Sequence, residues 1–202
     1  MGGSREARRR GEVKEQIMRV LLNYPSGELS KYQVWKLSEG SQTWVYDFIN
    51  QLGKEGYLEN TRVVNVRGLF ELWRKNPGKT VDEYYLVKNS MQLLGSVEKD
   101  YALTTYRAEN LLQNHLFPSR TDVYCRVEDQ WYWHDLLGKI GVIGGGNFRV
   151  RFGSKHVFFN SFTVNNYRVV SRPQLIVDLL IEGGPCVEAA DMLIDKLVAG
   201  DV

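Results

Sequence analysis

The sequence predicts an α+β protein in two parts. A helical N-terminal domain with a short β ribbon and a connecting segment covers residues 1–89, and a mixed α+β domain covers 90–202. Three observations carry this. Apolar residues recur at spacings of three and four through roughly the first 54 positions, as on one face of a helix. β-Branched residues then gather and partly alternate over 57–68, the pattern of strands. In the second half, strand-like segments group together and helical patterns flank them.

With 43% hydrophobic and 25% charged residues, the composition is that of an ordinary globular protein. The absence of any run of ~18 apolar residues predicts no membrane span. No apolar block near the start suggests a signal peptide, so a cytoplasmic protein without a membrane partner is expected. Two cysteines, Cys125 and Cys186, do not make a disulfide framework. Net charge is +2 but unevenly spread. Residues 1–76 hold 13 Lys/Arg against 9 Asp/Glu, and residues 77–202 hold 13 against 15. A basic first part joined to a mildly acidic remainder fits a nucleic-acid reader with a second module.

The first helix is expected over 8–23, with Val13, Ile17, Val20, Leu21 and Tyr24 on one stripe. Just before it, Arg5, Arg8, Arg9 and Arg10 read either as a solvated helix start or as an arm contacting phosphates. Residues 24–27 (YPSG) break the helix. A second helix begins at Ser30, which has capping-box spacing to Gln33. It closes at Glu39-Gly40, where Gly40 suits a left-handed cap. A third helix runs from Ser41 to Lys54 with Val45, Phe48, Ile49 and Leu52 inward. Its other side carries Thr43, Tyr46, Asp47, Asn50 and Lys54. Such side chains bond phosphates and base edges. Two helices joined through a tight turn, followed by a ribbon, form the plan of a winged helix-turn-helix. Arg62 and Arg67 fall in the expected wing.

A short helix is expected over 69–76, and 80–89 is ambiguous between strand and helix. In the second domain, 101–112 reads as a helix. Strand-like segments follow at 122–127, 147–152, 156–160 and 167–171, with a helical piece at 128–137 and a glycine loop at 144–146. Helices over 173–182 and 186–198 close the chain, the first opening on Pro173.

Catalytic and metal signatures are weak. His115, His134 and His156 lie far apart with no cysteine at ligand spacing, so neither a metal site nor a cofactor is expected. Residues 144–147 (GGGN) lack the Gly-Lys-Ser/Thr of a phosphate loop. Gly153-Ser154 resembles the Gly-Ser of nucleotidyltransferases, but no carboxylate follows until Asp178. Asp122, Glu128 and Asp129 with Lys139 are the one grouping that suggests catalysis, and surface charge explains them equally. The aromatics Trp131, Tyr132, Trp133, Phe158, Phe159 and Phe162 suit a core, an interface or base stacking.

Residues 101–108 (YALTTYRA) resemble the "ALTG-W-A" opening of the AbiEi-like antitoxins of abortive-infection systems. Residues 167–180 (YRVVSRPQLIVDLL) resemble their "V-S-P-E/Q-x-x-x-D-L" segment, and 188–193 (EAADML) their last helix. Thr105 stands where that family often has glycine, and Arg172 is inserted in the Ser-Pro step, as in a diverged member. The resemblance implies a winged-helix repressor of its own operon, a regulatory or antitoxin C-terminal domain, and a partner toxin resembling a nucleotidyltransferase.

The function expected is a sequence-specific, non-enzymatic regulator that binds double-stranded DNA, as a homodimer on paired half-sites. Its contact residues are Lys31, Tyr32, Ser41, Gln42, Thr43, Tyr46, Asn50, Lys54, Arg62 and Arg67. The alternatives are a winged helix that binds protein and a C-terminal domain that processes nucleic acid.

Overall fold

The structure is a computed structural model that describes residues 3–200. It is a mixed α+β protein of two compact units. One comprises the residues up to Lys79 together with those from Leu193 onward, the other Thr80–Met192. Among the described residues, no helix is long and apolar enough to cross a membrane.

The first unit is built on α1 (Gly3–Asn23), α2 (Lys31–Leu37) and α3 (Gln42–Lys54). Val13, Ile17, Val20 and Leu21 of α1 are buried, as their spacing predicts. The side chains of the expected arm, Arg5, Arg8, Arg9 and Arg10, lie outside the described residues. The Ser30 capping box forms: its hydroxyl accepts from the Gln33 amide, and the Gln33 side chain accepts from the Ser30 amide. The four inward residues of α3, Val45, Phe48, Ile49 and Leu52, are all buried.

The turn between α2 and α3 differs from the sequence expectation. It spans residues 38–41, and the α2 cap is Ser38 in extended conformation. Gly40 is not left-handed. It is small for packing reasons, since a Cβ there would lie 2.6 Å from Val13 Cγ1 and 2.9 Å from Val45 Cγ2. The turn therefore presses directly onto α1 and α3.

Strands β1 (Leu58–Glu59) and β2 (Arg62–Val63) form a two-stranded antiparallel ribbon with Leu58 opposite Val63. Asn60, at φ 60°, makes the turn. The ribbon is tied to the α1–α2 loop: the Val63 amide donates to the Pro25 carbonyl at 2.8 Å and the Thr61 hydroxyl to the Leu29 carbonyl at 2.6 Å. Gly27 makes room at that junction. Its φ is +85°, and an added Cβ would meet Arg62 Cβ at 3.0 Å. The ribbon is shorter than expected because Asn65 caps α4 (Val66–Lys75), whose Leu69, Phe70 and Trp73 are buried. Arg19, almost fully buried, pairs with Glu15 and lies over the Trp73 ring.

The second unit carries β3 (Val81–Leu86), α5 (Ser90–Leu94), β4 (Tyr101–Thr104), α6 (Thr105–Leu112), β5 (Thr121–Arg126) and α7 (Gln130–Ile140). Next come β6 (Val142–Ile143), β7 (Phe148–Gly153), β8 (Phe162–Val164), β9 (Tyr167–Val169), α8 (Arg172–Glu182) and α9 (Pro185–Ala199), whose residues from Leu193 on count with the first unit. The strands form one seven-stranded mixed sheet in the order β6-β3-β7-β5-β4-β9-β8. β5 runs parallel to β7 and β4 to β9, and the other pairs are antiparallel.

Three segments differ from the sequence reading. Residues 80–89 hold β3, which pairs with β7 from Val81 to Tyr85 and so belongs to the sheet of the second unit. Residues 101–112 are not one helix. Tyr101–Thr104 are all buried and lie between β5 and β9, where a short apolar run suits a central strand. Within 156–160, residues Lys155–Phe158 form a 3-10 turn. The strand is β8, which pairs with β9 across Asn165-Asn166, both with positive φ as a tight hairpin requires.

The two faces of this sheet differ in chemistry. Alternation puts Leu103, Val123, Cys125, Phe148, Val150 and Phe152 on one face, all buried. The helix α7 docks there, with Trp133 and Leu137 buried and His134 beside the Tyr85 hydroxyl at 3.2 Å. The opposite face carries Asp82, Thr104, Asp122, Tyr124, Arg149 and Arg151, matched strand to strand in register.

Candidate nucleic-acid interface

The α2–α3 pair presents one polar surface. Burial of Val45, Phe48, Ile49 and Leu52 fixes the rotation of α3, and with it the outward placement of the residues between them. Ser41, Gln42, Thr43, Asp47, Asn50 and Lys54 are exposed, and Tyr46 is half-buried. Ser41 precedes the helix with no side-chain cap bond. The Gln42 side-chain amide donates to the Tyr46 hydroxyl at 3.3 Å. At the start of α2, Lys31 Nζ donates to Asn50 Oδ1 at 2.6 Å, so two predicted contact residues from different helices meet. Tyr32 is 52% exposed and stands edge-on to Trp35. Residue types with donors and acceptors at this density suit base edges and phosphates.

Lys36 belongs to the same surface and was not among the predicted residues. Its ammonium lies 4.3 Å from the Trp35 ring and 5.4 Å from Tyr32. The signal available in the sequence was its place on the exposed side of a short helix with only Val34 buried. Trp44, half-buried, stacks on Phe48 at 5.6 Å, with Lys14 over the far ring. These contacts link α1 to α3 through Phe48.

The two predicted wing arginines separate. Arg62 is in the ribbon, 64% exposed, 3.8 Å from Glu59. Arg67 is not on a strand. It lies in the first turn of α4, because the Asn65 side chain accepts from the Gly68 amide and starts a helix there. Its guanidinium bonds Asp195 at 2.6 Å. Both arginines line a groove of about 520 Å³, shared with Pro25, Val64, Asp195 and Val198.

The candidate catalytic grouping in the second unit is dispersed. Asp122 is fully buried at the start of β5, whereas Glu128 lies beyond the other end, roughly 15–20 Å away by strand rise. Asp129 pairs with Lys99 at 3.0 Å and Lys139 with Asp135 at 2.6 Å. Among the described residues, no group of three or more His, Cys, Asp or Glu is placed to hold a metal ion. Of the aromatic cluster, Trp133 and Phe158 are buried. Phe158 lies under the guanidiniums of Arg126 and Arg168, Phe162 lies under Arg172, and Trp131 is 78% exposed.

The polar sheet face gathers charges that the sequence scatters. Arg149 holds Asp122 through two bonds at 3.1 Å and reaches Glu182 at 3.0 Å. Arg120 also grips Asp122 twice and Glu182 at 2.6 Å, and the Thr105 hydroxyl donates to the same Asp122. Beside them, Asp178 accepts from Thr104 at 2.6 Å, Tyr124 at 2.9 Å and Gln174 at 3.0 Å, with Arg151 at 3.5 Å. Burial opposes the charge on Arg120, but Asp122 and Glu182 more than offset it and hold its pKa above the ordinary value. Burial raises the Glu182 carboxyl, and Arg120 and Arg149 pull it further the other way, to below the usual range. Each carboxylate here is matched by a donor, which pins α8 and the start of α6 to the sheet. The detectable signal was the period-two pattern of Asp122/Tyr124 and Arg149/Arg151, which puts each pair on one face.

The chain matches no family model, no curated protein and no solved structure.

Proposed function

We propose that this chain is a sequence-specific transcriptional regulator that binds duplex DNA through a winged helix-turn-helix in its first unit. One observation carries the reading: α2 and α3 are joined by the four residues 38–41, and α3 turns Gln42, Thr43, Asn50 and Lys54 to solvent on a rigid apolar stripe. In such a module the second helix enters the major groove with its outward residues at base edges. Lys31, Tyr32, Ser41 and Tyr46 flank that helix, and Arg62 supplies the wing contact to phosphate or minor groove. A homodimer on paired half-sites supplies the remaining specificity. The protein then works in the cytoplasm. No cofactor and no catalytic step are assigned to it.

Asn50 and Lys54 are exposed, so Asn50→Ala with Lys54→Ala is expected to leave folding intact and to weaken binding to duplex DNA. Loss of a phosphate contact from Lys54 also lowers the slope of log affinity against log salt by about 0.9. Equal affinity of parent and double variant at equal salt would make the recognition-helix assignment wrong.

The antitoxin-like role and a toxin partner follow from the resemblance of 101–108 and 167–180. Co-expression with the product of the adjacent gene tests them, and a nucleotidyltransferase-like toxin that this chain fails to neutralise counts against the role. A protein-binding winged helix is the second reading, favoured by the apolar exposure of Tyr32 (52%) and Leu37 (38%) on α2. Salt separates the two, because a DNA reader loses affinity steeply as salt rises.

A further inference from the structure

We infer that Lys31 and Asn50 act as one unit that reads guanine in the major groove. The inference rests on the proposed role of α3 as the recognition helix and adds the base it selects. Lys31 opens α2 and Asn50 stands on the outward face of α3, and Lys31 Nζ donates to Asn50 Oδ1 at 2.6 Å. An ammonium carries only donors, so this bond also fixes which end of the amide faces Lys31.

An asparagine without such a partner offers one acceptor and one donor, which matches adenine with its N7 acceptor and N6 amino donor. In this protein the acceptor is engaged, and a positive charge stands beside it. An incoming adenine amino group would have to share that oxygen with the ammonium. The unit offers instead the Asn50 Nδ2 hydrogens and the remaining Nζ hydrogens, all of them donors. Guanine presents two acceptors, N7 and O6, on the same edge. The recognition pattern that fits is donor–donor against acceptor–acceptor, and the positive charge of Lys31 strengthens both bonds.

The other exposed amides of α3 are in different states, and Gln51 donates to the Glu55 carboxylate at 2.7 Å. Gln42 donates one hydrogen to the Tyr46 hydroxyl and makes no bond through its carbonyl to a lysine. The donor-only character is therefore local to the Lys31–Asn50 pair.

The test selects the full chain's preferred site from a pool of randomised duplex DNA. Each guanine of that site is then replaced in turn by adenine, with its partner base, or by 7-deazaguanine. The expected result is at least one position where either change lowers affinity about 5- to 150-fold, the range for one good bidentate base contact. At that position Lys31→Met, which frees Asn50 Oδ1, is expected to move the preference toward adenine, while Lys31→Arg keeps guanine. An unchanged guanine preference in Lys31→Met, or a selected site with no sensitive guanine, overturns the inference and leaves DNA binding standing. A pool that yields no enrichment, with no salt-dependent duplex binding by the parent, overturns both this inference and the proposed function. Circular dichroism of each variant separates lost recognition from lost folding.

Discussion

Replacing Thr105 tests how the buried charge network is held. Thr105 is fully buried, opens α6 and has φ 47°, a left-handed conformation unusual for a β-branched residue. That conformation costs about 1–2 kcal/mol. The cost is offset because the Thr105 hydroxyl donates to Asp122, and a hydrogen bond to a charged group contributes about 1.5–3 kcal/mol. Thr105→Ala removes the bond and keeps the strain, so it is expected to destabilise the second unit by about 2–4 kcal/mol once the lost packing is included. Thr105→Gly removes the bond too but relieves the strain. After the extra freedom of glycine in the unfolded chain, about 0.4–1 kcal/mol, it should end roughly 0.5–1 kcal/mol more stable than the alanine variant. Thr105→Ser keeps the hydroxyl and should lie closest to the parent. Urea unfolding of the full chain followed by circular dichroism measures this. With a slope of about 2 kcal/mol per molar, the alanine variant's midpoint falls by about 1–2 M. A glycine variant less stable than the alanine variant would refute the strain argument. Glycine is the residue that adopts this φ at least cost.

The remaining predictions concern both units. Gly40→Ala pushes a methyl into Val13 and Val45, and is expected to lower the melting temperature of the first unit by an overpacking cost of about 1–3 kcal/mol and to weaken duplex binding with it; an unchanged melt would show that the turn yields freely. Asp195→Asn breaks an ion pair whose partners are both more than half exposed, so stability should hardly change, while the salt slope of DNA binding steepens by about 0.9 if Arg67 then meets a phosphate. An unaltered slope would remove Arg67 from the interface. The Glu182 carboxyl titrates below its unfolded value, so its contribution is present above about pH 4.5 and is lost as pH falls through the folded value. Glu182→Gln should therefore flatten the acid limb of the stability profile, and an acid limb as steep as the parent's would assign the sensitivity elsewhere. Burial and the contact with Cys186 push the Tyr106 hydroxyl up to about 12, so its contribution is complete below about pH 10 and is lost as pH rises through 12. Tyr106→Phe should flatten that alkaline limb, as read by melts from pH 8 to 12.

The parts of this protein legible in the sequence are those that local rules decide. Val45, Phe48, Ile49 and Leu52 give away α3 because a helix of 3.6 residues per turn must bury such a set together. Ser30 and Gln33 give away the start of α2 because the cap needs only three residues of context. Gly40 was placed correctly in a turn but for the wrong cause, since what it avoids is a clash with Val13, 27 residues earlier. Residues 101–104 failed for a similar reason. A four-residue apolar run fits a helix or a buried strand, and only neighbours β5 and β9 decide between them. Of the ionic network, only the period-two pairs Asp122/Tyr124 and Arg149/Arg151 are legible; Asp82, Asp122, Arg149, Asp178 and Glu182 are spread over 100 residues, and only strand register assembles them. The Lys31–Asn50 bond joins residues 19 apart, on two helices whose rotation the apolar stripe sets but whose side-chain reach it does not.

Strand β3 is made long before its partners. Val81 pairs with Phe152, 71 residues later, and β6 on its other side is also late in the chain. At a synthesis rate of about 5–20 residues per second, β3 waits roughly 4–14 s with both edges unpaired. During that interval the segment 81–87 (VDEYYLV) is an exposed strand former, the kind that invites pairing with a neighbouring chain. In a parallel, in-register pairing of two copies, Asp82 and Glu83 would each face their own kind, like charge against like, and such inward charges discourage that pairing. Neutralising Asp82 is therefore expected to lower the yield during expression beyond what the loss of its folded-state ion pairs with Arg149 and Arg151 accounts for.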